Sequence, residues 1–126
     1  MDLNIYKTDR KKEVDGVWQK IGDADIKVAR ANNPKYKTAL NKYLRKYVPP
    51  GAKTEDSEVF IEKATIEAMA ESILVDWKNI AIDGEILEPS KENAVRILTE
   101  FPDFREIVSS FAIDRNCYTP DEIAKK

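Results

Sequence analysis

The sequence predicts a mainly α, small α+β fold: a compact helical domain with an N-terminal β-hairpin and a second, shorter hairpin. Three observations carry that expectation. The 126 residues suit one domain and are enough to bury a core without disulfides or metal. Charged residues make up 35% of the chain, against roughly 25% in ordinary globular proteins, beside 42% hydrophobic residues, a balance that suits helices with one solvated face. Apolar residues recur at helical spacing behind recognisable start signals, and two Gly/Asp turns separate short β-forming runs.

Residues 1–13 are polar, with Arg10-Lys11-Lys12 and little periodicity, and are expected to form a flexible arm. The domain proper is expected over residues 14–118, with 119–126 as a tail. Val17-Trp18-Gln19-Lys20-Ile21 and Ala24-Asp25-Ile26-Lys27-Val28-Ala29 flank Gly22-Asp23, a short-hairpin pattern that puts Ile26 and Val28 on one face. Asn33 then offers an N-cap and Pro34 a first helical position, ahead of Tyr36, Leu40, Tyr43, Leu44, Tyr47 and Val48 at helical spacing. Pro49-Pro50-Gly51 stops that helix, because two prolines remove backbone donors and glycine releases the chain into a turn.

A second helix is expected over about residues 57–77, started by Thr54, Asp56 or Ser57, with so narrow a polar stripe that it reads as the core element. Asp83-Gly84 between Ile80-Ala81-Ile82 and Glu85-Ile86-Leu87 is the strongest short-range hairpin signal. Pro89-Ser90 introduces a third helix with Ala94, Val95, Ile97, Leu98 and Phe101. Pro102-Asp103 opens a fourth, in which Asp103 and Glu106 form a capping-box pattern and Ile107, Val108, Phe111 and Ala112 point inward. Thr119-Pro120-Asp121-Glu122 is a further helix start signal, with an N-cap Thr, Pro at the first position and Glu at the third.

The chemistry available is narrow. There is no His and one Cys, Cys117, so imidazole acid/base catalysis, His-dependent nucleophiles and Cys/His zinc sites are excluded. The carboxylate clusters Asp23/Asp25 and Glu55/Asp56/Glu58 fall in a turn and at a helix start, where acids serve turn geometry and the helix dipole. Gly16, Gly22, Gly51 and Gly84 are too scattered to cradle a phosphate. No enzyme activity, cofactor or metal is therefore expected. The start lacks a basic n-region and apolar h-region, and the most apolar stretch, residues 64–77, is interrupted by acids and shorter than the ~20 residues of a membrane span. A soluble, cytoplasmic protein with no membrane partner is expected.

Charge is unevenly placed: residues 1–48 hold 12 Lys/Arg against 6 Asp/Glu, and residues 49–126 hold 9 against 17. Such a split can bring copies of the chain together head to tail. Lys35, Lys37, Lys42, Arg45 and Lys46 lie among Tyr36, Tyr43 and Tyr47, a mixture that single-strand nucleic-acid binders use. The tyrosines share the apolar stripe of Leu40 and Leu44, however, and read as packed, with the lysines as a solvated face. Trp18 and Trp77 read as core or interface anchors, and Cys117 as a small buried hydrophobe.

The succession of these signals resembles a known family. A Trp18-containing hairpin running into Ile26-Lys27-Val28-Ala29-Arg30-Ala31-Asn32-Asn33-Pro34-Lys35-Tyr36 is followed by Val75-Asp76-Trp77-Lys78-Asn79-Ile80. Then come Asp83-Gly84-Glu85, Pro89-Ser90-Lys91-Glu92-Asn93 and Phe101-Pro102-Asp103-Phe104. Over about residues 14–118 this order is similar to the tail assembly chaperones of long-tailed bacteriophages, with Trp18, Asn33, Tyr36, Trp77, Gly84 and Asn93 as signature residues of structural character. The resemblance implies a non-catalytic protein of the host bacterial cytoplasm that solubilises the tape measure protein, recruits tail tube subunits, self-associates and is absent from the mature virion. It also implies a longer frameshifted form, with Lys125-Lys126 encoded at the slippery site. Such a mechanism requires apolar residues facing solvent in the C-terminal helices, and Phe104, Phe111 and Tyr118 are the candidates. The alternatives are a nucleic-acid-binding module using the basic half and a structural head–tail joining protein.

Overall fold

The computed structural model describes residues 1–121, and only the backbone of residues 54–56. The chain forms the small α+β domain that the sequence predicts. The elements are α1 (Arg10–Asp15), β1 (Val17–Ile21), β2 (Ala24–Val28), α2 (Pro34–Tyr47), α3 (Thr54–Ser72), β3 (Leu74–Lys78), β4 (Ala81–Ile82), β5 (Glu85–Ile86), α4 (Lys91–Glu100) and α5 (Pro102–Ile113). Short 3-10 turns at Leu3–Tyr6 and Arg115–Tyr118 flank them.

Both hairpins form where their turn residues demand. Gly22 supplies a φ of +57° between β1 and β2, which pair from Val17↔Val28 to Ile21↔Ala24. Asp83 and Gly84 both take positive φ, +52° and +82°, as a type I′ turn between β4 and β5 requires. Asn33 caps α2 as expected, its Oδ1 accepting from Tyr36 N at 3.0 Å while its Nδ2 donates to Arg30 O at 2.8 Å. Ser90 caps α4 by accepting from Asn93 N, and Asn93 Nδ2 reaches back to Glu88 O.

Three expectations are corrected. The long helix ends at Ser72, not at residue 77, and residues 74–78 become a strand antiparallel to β2. Val75 and Trp77 are β-formers, and pairing with β2 buries Leu74 and Trp77 while setting Asp25 opposite Lys78 and Lys27 opposite Asp76. Within the segment expected as a flexible arm, α1 begins at Arg10 and runs to Asp15. Asp9 caps it through Lys11 N and Lys12 N, and Glu13 pairs with Arg30 at 2.8 Å, a tertiary partner that local periodicity does not reveal. Finally, α5 has Phe101 as its N-cap and Pro102 at its first turn, so Asp103 lies inside the helix and makes no capping bond.

The sheet order is β1-β2-β3, and its inner face contributes Ile26, Val28, Leu74 and Trp77 to the main core. Against them pack Met69, Ala70 and Ile73 of the α3 end, Ala94, Ile97 and Leu98 of α4, and Val108 and Ala112 of α5. Trp77 also donates its indole N–H to Leu87 O at 2.8 Å, which ties the β4–β5 ribbon to the sheet. A second cluster joins α2 to α3, with Ala39, Tyr43, Ala64 and Ala68 buried and Tyr36, Leu40, Leu44 and Tyr47 packed around them. Small alanines on facing helices let the two backbones approach closely. The helix start signal at Thr119-Pro120 reaches the edge of the description, where Lys12 Nζ donates to Thr119 O and pairs with Asp121. The expected extension through Lys125-Lys126 lies outside the described residues.

Candidate functional site

The start of α5 and the ribbon beside it form an apolar groove. Ile80, Ala81 and Ile82 of the ribbon, Ile97 of α4, and Phe101, Pro102 and Phe104 at the start of α5 line an open groove of about 450 Å³. Glu100 and Asp103 stand on its rim. The groove arises because Pro102 breaks the chain between α4 and α5, turning Phe101 outward from the position at the end of a helix where it was expected. Phe101 is 42% exposed.

From this groove an apolar stripe runs along α5. Phe104, Ile107 and Phe111 follow one another at spacings of three and four, so they lie on one side of the helix beside the buried Val108. Phe104 and Phe111 are half-buried against the core, and Ile107, expected inward, is 40% exposed. Sequence reading found two members of the stripe and missed its open ones, Phe101 and Ile107. The signal was the three-residue spacing from Phe101 through Phe104 to Ile107.

Tyr118 is corrected more sharply. It is fully buried, and its hydroxyl donates to Val28 O at 3.0 Å, so it presents nothing to a partner in this fold. Burial pushes its phenol well above the ordinary range. Its own carbonyl accepts from Asp9 N at 2.8 Å, which makes it a pin between β2, α1 and the chain's last described turn.

The signature residues do structural work. Asn33 and Asn93 satisfy helix starts, Gly84 supplies its turn, Trp77 fills the core, and Tyr36 bridges the two clusters with its phenol raised by burial. Trp18 differs: it lies on the outer sheet face, 39% exposed, with Lys78 Nζ 4.7 Å and Lys27 Nζ 6.0 Å from its ring centre.

Lys42, Tyr43, Lys46 and Tyr47 of α2 are engaged with their own chain. Tyr43 donates to Glu71 at 2.9 Å and accepts from Lys91 Nζ, while Lys42 donates to Glu71 at 3.0 Å and Lys91 pairs with Glu67 at 3.2 Å. Lys42 and Lys91 lie over the Tyr43 ring, and Lys46 and Lys63 over Tyr47. The hydrogen bond to Tyr43 and the contact with Glu67 push Lys91 up to about 12, the opposite of what a lysine base requires. For Glu71, burial acts upward, but hydrogen bonds from Lys42 and Tyr43 outweigh it and hold the carboxyl below its usual value. Cys117 is half-buried, with its thiol raised by burial, so it is poorly nucleophilic. Among the described residues, no group of three or more His, Cys, Asp or Glu side chains could hold a metal ion, and no helix is long and apolar enough to cross a membrane.

These features define a small α+β domain whose most open chemistry is an apolar groove and stripe with an acidic rim. Residues 31–125 match the family model described as YdaY prophage protein, and the chain belongs to that family. It is thus a phage-related protein, and the match begins just after β2 and covers α2 through α5, taking in the groove and the stripe. No curated protein and no solved structure matches the chain.

Proposed function

We propose that this protein is a non-catalytic tail assembly chaperone that binds and solubilises the tape measure protein and recruits tail tube subunits. It would act in the host bacterial cytoplasm and be absent from the mature virion. Membership in a prophage family and the sequence resemblance support the setting. The observation that carries the binding role is the stripe of Phe104, Ile107 and Phe111, continued into the groove by Phe101. An amphipathic helix lays apolar side chains at three- and four-residue spacing into such a surface. Each copy buries a modest area, and many copies along one long helix hold it by multivalency.

The test is co-expression with the tape measure protein encoded in the same prophage. Wild type keeps that protein in the soluble fraction, and Ile107→Asp loses this effect while its own thermal midpoint stays within a few degrees, because Ile107 is exposed at the edge of the core. Full solubilisation by Ile107→Asp, or recovery of this protein from purified particles, overturns the proposal. Binding that collapses between low and moderate salt points instead to a nucleic-acid module.

A further inference from the structure

Among the described residues β2 is the only strand paired with β1, so β1 is an edge of the sheet. The two-residue turn at Gly22-Asp23 makes Ile21 and Ala24 the hydrogen-bonded pair that closes the hairpin, and such pairs alternate along an antiparallel ladder. Val17, Gln19 and Ile21 therefore bond to β2, whereas the N–H and C=O of Trp18 and Lys20 point away from it, out of the sheet. No other backbone or side-chain group of the described residues meets them there. Such a free row of donors and acceptors is a template for another strand.

The side chains at this edge have a definite character. Trp18 and Lys20 are exposed on the outer face of the sheet. Lys27 and Lys78 add charge beside them, with their ammonium groups 6.0 and 4.7 Å from the Trp18 ring centre. The acids of the same face stand further in, Asp25 on β2 and Asp76 on β3, and Asp76 accepts from Trp77 N at 2.8 Å. On its other side the edge strand offers the partly buried Val17 and Ile21. A strand laid along β1 thus meets an aromatic ring and positive charge on one side and aliphatic side chains on the other, at a period of two.

We infer that the free edge of β1 binds an extended segment of another protein in which acidic residues alternate with β-branched ones. The acidic residues lie opposite Trp18 and Lys20 and exchange both main-chain hydrogen bonds with them, and the β-branched residues continue the side of Val17 and Ile21. Main-chain bonds supply the affinity of such a contact and alternate side chains its selectivity. The site is separate from the groove and stripe of α5 and stands independently of the chaperone reading.

The probe is an acetylated and amidated heptapeptide of alternating Glu and Val, titrated into the purified full chain. Trp77 is buried and Trp18 is exposed, so a change in tryptophan emission reads Trp18, and the amide resonances of Trp18 and Lys20 localise the contact. The peptide is expected to bind saturably, and more weakly at high salt. Methylating its Glu nitrogens removes the donors that face β1 and abolishes binding, whereas methylating its Val nitrogens, which face away, leaves it. Lys20→Glu weakens binding about tenfold. Lys20→Pro removes an outward N–H, spares the ladder to β2 and abolishes binding with an unchanged circular dichroism spectrum; if it unfolds, Lys20→Glu and the methylated peptides carry the test. Failure of the unmodified peptide to bind at millimolar concentration overturns the inference. So does equal binding by the Glu-methylated peptide or by a Lys/Val counterpart, or quenching of Trp18 by an oligothymidylate where the peptide has no effect. A wild-type mass near twice 14.4 kDa that Lys20→Pro returns to 14.4 kDa assigns the edge to a second copy and overturns it as well.

Discussion

Tyr118→Phe removes a single oxygen from a side chain with no solvent exposure. The phenol donates to Val28 O at 3.0 Å, and among the described residues no buried side-chain polar atom lacks a partner. Deleting the hydroxyl keeps the aromatic ring in place but strips the Val28 carbonyl of that donor, and such a loss costs about 1–2 kcal/mol. At an unfolding entropy near 2.1 cal/mol/K per residue, 126 residues translate this into a fall of about 4–8 °C in thermal midpoint. With a urea slope of about 1.5 kcal/mol/M, the unfolding midpoint falls by about 1 M. Amide exchange at Asp9, whose N–H is bonded to Tyr118 O, should accelerate in the same variant, because the pin that holds α1 is loosened. A midpoint unchanged to within about 1 °C would refute the hydrogen-bond argument. Unchanged stability together with lost tape measure binding would restore Tyr118 to the partner-facing role that the sequence suggested.

Other substitutions separate backbone from packing effects. Asn33→Ala removes both the cap of α2 and the bond to Arg30 O, and should cost about 1–2 kcal/mol in urea unfolding. Gly84→Ala meets no atom within 4 Å, so only its positive φ opposes the methyl, and the loss should be about 1 kcal/mol. Gly16→Ala should cost about 3 kcal/mol or more: its φ of +92° is a glycine conformation, and a Cβ there would lie 3.0 Å from Val75 Cγ2 and 3.2 Å from the Val28 carbonyl carbon. Lys91 is raised from 10.5 to about 12, so its stabilising contribution is complete below pH 10.5 and is lost as pH rises through about 12. Since the side chain is 43% exposed, that contribution is about 1 kcal/mol or less, and Lys91→Met should flatten the alkaline limb of a stability–pH profile by that amount.

Features set by a few adjacent residues were legible in the sequence. Gly22-Asp23, Asn33-Pro34, Asp83-Gly84 and Ser90 each determine their own turn or cap, and each is where its chemistry predicts. What failed depended on distant partners. Leu74, Val75 and Trp77 continue the apolar pattern of α3, and only β2, almost 50 residues earlier, turns them into a strand. The helix at residues 10–15 owes its place to Arg30 and to the Tyr118 carbonyl, neither of which leaves a mark on its periodicity. The candidate surface divides in the same way. Phe104 and Phe111 fall on the stripe because helical spacing puts them there, whereas the burial of Tyr118 follows from a hydrogen bond to a strand 90 residues away. Ile107 is expected inward with Val108, but Val108 alone is buried and Ile107 stays 40% exposed.

The placement of β3 also sets the order in which this molecule can assemble. The β1–β2 hairpin closes over two residues, and hairpins of that kind form within about 1–10 μs. The third strand can join only after the excursion through α2 and α3 has brought Leu74 back to Val28. Closing so long a loop is entropically costly unless the two helices pair first and shorten it. The alanine-lined contact of α2 with α3 is therefore the step that makes the sheet completable, and a bulky side chain at Ala64 or Ala68 would slow folding before it disturbed the strands themselves.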